Sequence, residues 1–149
     1  MIQHIWTLVC KESKIEAETN NISVIDLYEN LQFDLKTDQN FYDKSKPLVG
    51  PFNFEVVSLF YRDKKGTHVE FEVLAKIIDP KGAVLGEFPA KTEFKPEHNR
   101  VRNRIKFNTV ALTVSGVYIV QVYMKRKDEQ DQVAAIPLDI KVVLNGKEL

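Results

Sequence analysis

The sequence predicts an all-β protein, an antiparallel two-sheet sandwich with little or no helix. Three observations carry that prediction. The stretch Val117–Lys125 sets Tyr118, Val120, Val122 and Met124 on one face and Val117, Ile119, Gln121 and Tyr123 on the other. Period-two alternation rich in β-branched and aromatic residues marks a strand with a buried face. The tetrapeptide Asp79-Pro80-Lys81-Gly82 has Pro second and Gly fourth, as a type I turn closing through a glycine bulge requires. Along the remaining chain, about eight apolar alternating segments are separated by polar turns, the spacing of a sandwich rather than of a βα repeat.

In chain order, residues 2–10 alternate Ile2, His4, Trp6, Leu8 and Cys10 against Gln3, Ile5, Thr7 and Val9. Both faces are apolar, which suits a strand inside a sandwich better than an edge. Polar residues 11–21 form a turn region, where Asn20-Asn21 can take positive φ. Residues 22–36 read as strand, short irregular or helical turn, then strand. Residues 37–51 are a long polar loop with Pro47, Gly50 and Pro51, and within it lie Phe41 and Tyr42. Loops of this length often carry function; the plainer reading is that the two rings pin the loop to the flank.

The next strand is 52–63, with Phe52, Phe54, Val56 and Phe60 on one face, interrupted by Ser58. Residues 68–78 turn Val69, Phe71, Val73, Ala75 and Ile77 inward, and Ala83–Phe88 returns after the Asp-Pro-Lys-Gly turn. Residues 89–100, with two prolines, cross to a strand at 101–109 that sets Val101, Ile105 and Phe107 against Arg102, Arg104, Lys106 and Asn108. The last strand faces Ile136, Leu138, Ile140 and Val142 inward; Pro137, lacking an amide donor, belongs on an edge.

The trio Gly116, Tyr118, Val120 has the spacing of the corner leading into a late strand of immunoglobulin-like sandwiches, where the Tyr bonds back across the corner. WTLVCKESKIEAETNNISVID, IDPKGAVLGEF and TVSGVYIVQVYM, in that order, resemble a group of small bacterial domains of unknown function. The resemblance covers almost the whole sequence and implies a single immunoglobulin-like domain with Greek-key connections over residues 1–149. Its motifs are structural and bring no functional residue with them. Val120 stands where antibody domains carry their second bridge cysteine, which fits a reducing, cytoplasmic setting.

Composition narrows the function classes. Lys and Arg total 21 and Asp and Glu total 21, so no global field favours nucleic acid or an anionic membrane. The one cysteine excludes an internal disulfide framework. No apolar run approaches the ~20 residues of a membrane span, and the first residues lack the basic stretch of a secretory signal.

Chemistry-bearing residues do not converge in sequence. His4, His68 and His98 offer no HxH or HxxxH pair, so neither a metal nor another cofactor is expected. His4 reads as a satisfied, partly buried imidazole, and His68 and His98 as solvated. Cys10 reads as a buried, inert thiol rather than a nucleophile. Asp128, Glu129 and Asp131 form an acidic cluster of the kind that binds calcium, but Lys125, Arg126 and Lys127 adjoin them and a solvated tip is the simpler reading. Arg100, Arg102, Arg104 and Lys106 share one strand face as a basic stripe, which Glu70 and Glu72 are expected to neutralise across a sheet. No catalytic residue emerges. The expectation is a cytoplasmic, non-enzymatic module that binds a protein partner or a second copy of itself. The alternative is a carbohydrate-type ligand on Trp6, Tyr42, Tyr61 or Tyr123.

Overall fold

A computed structural model describes residues 1–38 and 42–149. Among the described residues ten strands are formed: β1 Ile2–Ile15, β2 Ile22–Leu27, β3 Asn30–Leu35, β4 Leu48–Arg62, β5 Val69–Ile78, β6 Val84–Phe94, β7 Arg100–Leu112, β8 Gly116–Arg126, β9 Glu129–Leu144 and β10 Lys147–Glu148. Among the described residues no helix is long and apolar enough to cross a membrane. One sheet has the order β2-β1-β4-β7; the other runs β10-β9-β8-β5-β6, with β3 also joined to β9. The pairings are antiparallel except β3 with β9, which is parallel from Asn30↔Asp139 to Leu35↔Leu144. The chain changes sheets between β2 and β3, beginning at Asp26, whose φ is 53°. Because β3 reaches β9 only at Asp139, Pro137 lies on an open stretch of edge, as its missing amide requires.

The core lies between the inner faces. Phe60, Phe94, Leu112, Val122 and Val142 have no exposure, and Val56, Val73, Tyr118 and Val120 have almost none. Fully burying each such side chain contributes about 1.5–3 kcal/mol. One end of the core is closed by Arg62, 3% exposed. Its guanidinium donates to the carbonyls of His98 (2.9 Å), Thr67 (2.6 Å) and Lys95 (2.7 Å) and lies 5.0 Å from the Phe94 ring centre. Three buried N–H donors are thus satisfied by backbone, and two loops are held by one side chain.

The two turn motifs read from the sequence form one unit. In the β5–β6 turn the Asp79 amide donates to the Ala83 carbonyl and the Gly82 amide to the Asp79 carbonyl, both at 2.9 Å, with Gly82 at φ 86°. Asp79 Oδ1 accepts from the amides of Lys81 (3.0 Å) and Ala83 (2.8 Å), while Oδ2 accepts from Thr113 Oγ1 at 2.8 Å. Burial, the largest influence on the Asp79 carboxyl, acts to raise its pKa; those hydrogen bonds outweigh it and hold the pKa below normal. Thr113 in turn donates its amide to Tyr118 Oη (2.9 Å), which donates to the Val114 carbonyl (2.8 Å). Gly116 closes the unit with φ 146°; a Cβ there would stand 2.8 Å from Pro80.

Several sequence expectations are corrected. An extra residue, Ile5, bulges out of β1: His4 opposes Phe60, but Trp6 opposes Leu59 and Thr7 opposes Ser58. Directly opposed residues share a face, and one inserted residue exchanges the faces beyond it. Ile2 and His4 therefore share the inner side with Thr7 and Val9, whereas Trp6, Leu8 and Cys10 face outward. The loop read as 37–51 ends sooner, because β4 starts at Leu48 and Pro51 pairs with Thr109 beside a register shift. β6 runs through Pro89 to Phe94, so much of the expected crossing segment is edge strand, where proline is tolerated. Finally, β7 and β5 lie in different sheets, so Glu70 and Glu72 are not cross-strand partners of the basic stripe.

Candidate functional site

On the outer face of the four-stranded sheet, registers align three strands into rows. Trp6, Leu59 and Arg102 form one row, Leu8, Val57 and Arg104 the next, and Cys10, Glu55 and Lys106 a third; Tyr61 stands beside Arg100. Strand alternation therefore presents the basic stripe along one side of an apolar row and the indole along the other.

The β1–β2 hairpin supplies a rim. Its turn is closed by hydrogen bonds between Glu16 and Asn21 and between Asn20 and Glu16, with Asn20 at φ 56°. Arg102 Nη2 fastens it by donating to the Asn20 carbonyl (2.6 Å) and to Asn20 Oδ1 (3.0 Å). Arg104 Nη1 reaches Ser13 Oγ at 3.3 Å. Val57, although on this outer face, has no exposure. Between hairpin and sheet lies an open cleft of about 570 Å³ lined by Ile5, Trp6, Asn21, Ile22, Leu59, Tyr61, Arg100 and Arg102.

Charge along the stripe is graded. Lys106 Nζ lies 3.6 Å from Glu55, a buried carboxylate that also accepts from Ser13 Oγ. At the other end, neither Arg100 nor Arg102 has a carboxylate within ion-pair distance among the described residues. The Arg100 guanidinium lies 6.0 Å from the Tyr61 ring centre, at the outer limit of a cation–π contact. Burial and the neighbouring Arg104 charge lower the Arg102 pKa. Both effects make an added anion favourable there. Guanidinium forks match carboxylates bidentately, and the adjoining indole and phenol offer apolar or ring-stacking area.

The other sequence candidates separate. Tyr123 belongs to the opposite sheet, beneath Lys76 Nζ at 4.9 Å and bonded to Gln121 and Gln132. Tyr42 is half-buried in the loop before β4, and Phe41 lies outside the described residues. Asp128, Glu129 and Asp131 are exposed at the β8–β9 tip. His98 is exposed, its Nε2 3.8 Å from Glu97. His68 is exposed but not isolated: its Nε2 is 2.8 Å from Glu93 and 4.0 Å from Glu70. That hydrogen bond holds the Glu93 carboxyl below its ordinary pKa, against slight burial and with help from the charges of His68 and Lys95.

Cys10 has no exposure, and burial followed by the Glu55 charge raises its pKa, which keeps it a thiol. His4 Nε2 contacts Thr7 Oγ1 at 2.7 Å, and Thr7 Oγ1 contacts Ser58 Oγ at 2.8 Å. The chain imidazole–hydroxyl–hydroxyl resembles an activated nucleophile, but Thr7 and Ser58 are 7% and 1% exposed on the inner face. The row continues to Asn103, opposite Ser58, which donates to Thr92 at 2.7 Å. It is a polar belt across the core, closed to substrate.

Sequence reasoning named Trp6, Tyr61, Arg100 and Arg102 but not their meeting, since the bulge that turns Trp6 outward leaves no composition signal. No protein-family model matches the chain, and a search of curated proteins finds no significant match.

Proposed function

We propose that the chain is a non-catalytic, immunoglobulin-like binding domain whose cleft takes an acidic segment of a partner protein. The architectural part is supported by β1, β4 and β7 in one sheet and β6, β5, β8 and β9 in the other. The parallel β3–β9 pair and the Tyr118 corner support it further. The functional part is carried by one observation: two guanidiniums with no carboxylate partner among the described residues share a cleft with the sole tryptophan. A partner carboxylate would lie against Arg100 and Arg102, and an adjoining apolar side chain against Trp6 and Leu59. That Trp6 and Tyr61 both line the cleft favours a second reading, an acidic sugar stacked on the rings.

Because Trp6 is the only tryptophan, its fluorescence reports on the cleft directly. A peptide alternating Glu and Phe is expected to produce a saturable change, and its Gln counterpart none. Arg100→Ala should weaken binding by about tenfold, the loss of one charge-assisted contact of ~1.4 kcal/mol. A response to oligogalacturonate alone would move the assignment to the sugar reading. No saturation with either ligand at millimolar concentration would end both.

A further inference from the structure

On the other sheet, the outward face of the β5–β6 pair follows a charge rule with one exception. Glu72 opposes Lys91, and Lys76 opposes Glu87, with Lys76 Nζ 3.4 Å from the carboxylate. Glu70, however, opposes Glu93. Like charges directly across an antiparallel pair are unfavourable unless a cation lies between them. The exception occurs where His68 stands, two residues before Glu70 and therefore on the same face. His68 Nε2 reaches both carboxylates, at 2.8 Å and 4.0 Å. Among the described residues, His68, Glu70 and Glu93 alone gather three possible ligand atoms, all within 4.8 Å of one another.

From this geometry we propose that His68, Glu70 and Glu93 form a binding site for a transition-metal dication of the zinc class. Tetrahedral coordination at metal–ligand distances of about 2.1 Å places neighbouring ligand atoms about 3.4 Å apart. One pair is already closer than that, and the others come within reach by side-chain rotation. Each side chain has the freedom to rotate, with exposures of 47%, 75% and 51% for His68, Glu70 and Glu93. The strand pairing meanwhile fixes the positions of the two glutamates. An imidazole nitrogen with two carboxylates suits zinc, cobalt, nickel or manganese, whereas calcium and magnesium take oxygen ligands. The two glutamates also border a cleft of about 510 Å³ whose wall carries Lys91, Lys125, Arg126 and Lys127. The metal's remaining position would open onto a basic wall, where water or a small anion completes the shell.

The spacing that reveals the site is His-x-Glu at the entry to β5 plus a cross-strand carboxylate, which a search for paired histidines passes over. The test is calorimetric titration of the full chain with zinc chloride and, in parallel, magnesium chloride. One zinc ion per chain should bind and magnesium should not compete. His68→Ala and Glu93→Gln should each weaken zinc by about tenfold or more, and His98→Ala should leave it unchanged. All three substitutions are at exposed positions, and circular dichroism checks that the fold persists. No saturable zinc binding by the wild type overturns the assignment, as does an affinity unmoved by His68→Ala.

Discussion

Tyr118→Phe isolates what the corner hydroxyl contributes. Tyr118 is 1% exposed, and phenylalanine retains the ring and its packing, so no large cavity opens and the transfer term is nearly unchanged. What disappears is one hydrogen bond accepted from the Thr113 amide at 2.9 Å and one donated to the Val114 carbonyl at 2.8 Å. Each is worth about 0.5–1.5 kcal/mol net. Thr113 and Val114 are only half-buried, so water recovers part of the desolvation penalty, and the expected cost is about 2 kcal/mol. With a urea m-value of roughly 2 kcal/mol/M, the midpoint should fall by roughly 1 M at constant m. Combining the substitution with Asp79→Ala should give a non-additive loss of at least about 0.5 kcal/mol, because Thr113 joins the two sites. A single-mutant cost below about 0.5 kcal/mol, with additive doubles, would refute the view that turn and corner act as one unit.

Gly116→Ala combines φ 146° with a Cβ 2.8 Å from Pro80, and thermal unfolding should show a loss of about 1–3 kcal/mol. Pro80→Ala in that background should restore part of the loss; no recovery would assign the whole cost to φ. Burial lowers the His4 pKa from 6.5, against a backbone hydrogen bond involving Trp6 that raises it. The unfolded chain therefore takes up the proton first as pH falls. The His4 contribution is complete above about pH 6.5 and declines as pH drops through the lower folded value. His4→Gln should flatten this part of the urea-midpoint profile between pH 7.5 and 5, and an unchanged slope would rule out His4 as its source.

Strand positions were legible wherever burial and period two coincide. In β5, β8 and the 136–142 part of β9 the inward residues are those that alternation selects, because a pleat without a bulge in these stretches leaves the pattern no other solution. The Asp-Pro-Lys-Gly turn was legible for a similar reason: a proline-fixed φ and a glycine at positive φ specify local geometry without tertiary help. What escaped was long-range. Which sheet receives β2, β3, β5 or β7 depends on connections between sheets, and nothing in Glu70 or Arg100 encodes that they stand on different faces of the molecule. The two candidate sites escaped for the same reason. One needs Trp6 in a row with Leu59 and Arg102 and the other Glu70 opposite Glu93, and both are registers between strands rather than spacings within one.

The bulge at Ile5 links core to cleft. Had β1 kept the register of its first residues, Trp6 would oppose Ser58 on the inner face and Thr7 would oppose Val57 outside. A buried serine hydroxyl deprived of its threonine partner costs about 1–3 kcal/mol, and the indole would displace the volume now filled around Phe60. With one residue extruded, Thr7 meets Ser58 at 2.8 Å and His4 meets Thr7 at 2.7 Å. The same displacement turns Trp6 onto the outer face, in the row with Leu59 and Arg102. Ile5, the residue left over, is 49% exposed in the cleft wall. The polar pair in the core and the aromatic wall of the cleft are therefore consequences of one inserted residue. On this account, the interior serine and the exterior tryptophan are coupled although they never touch.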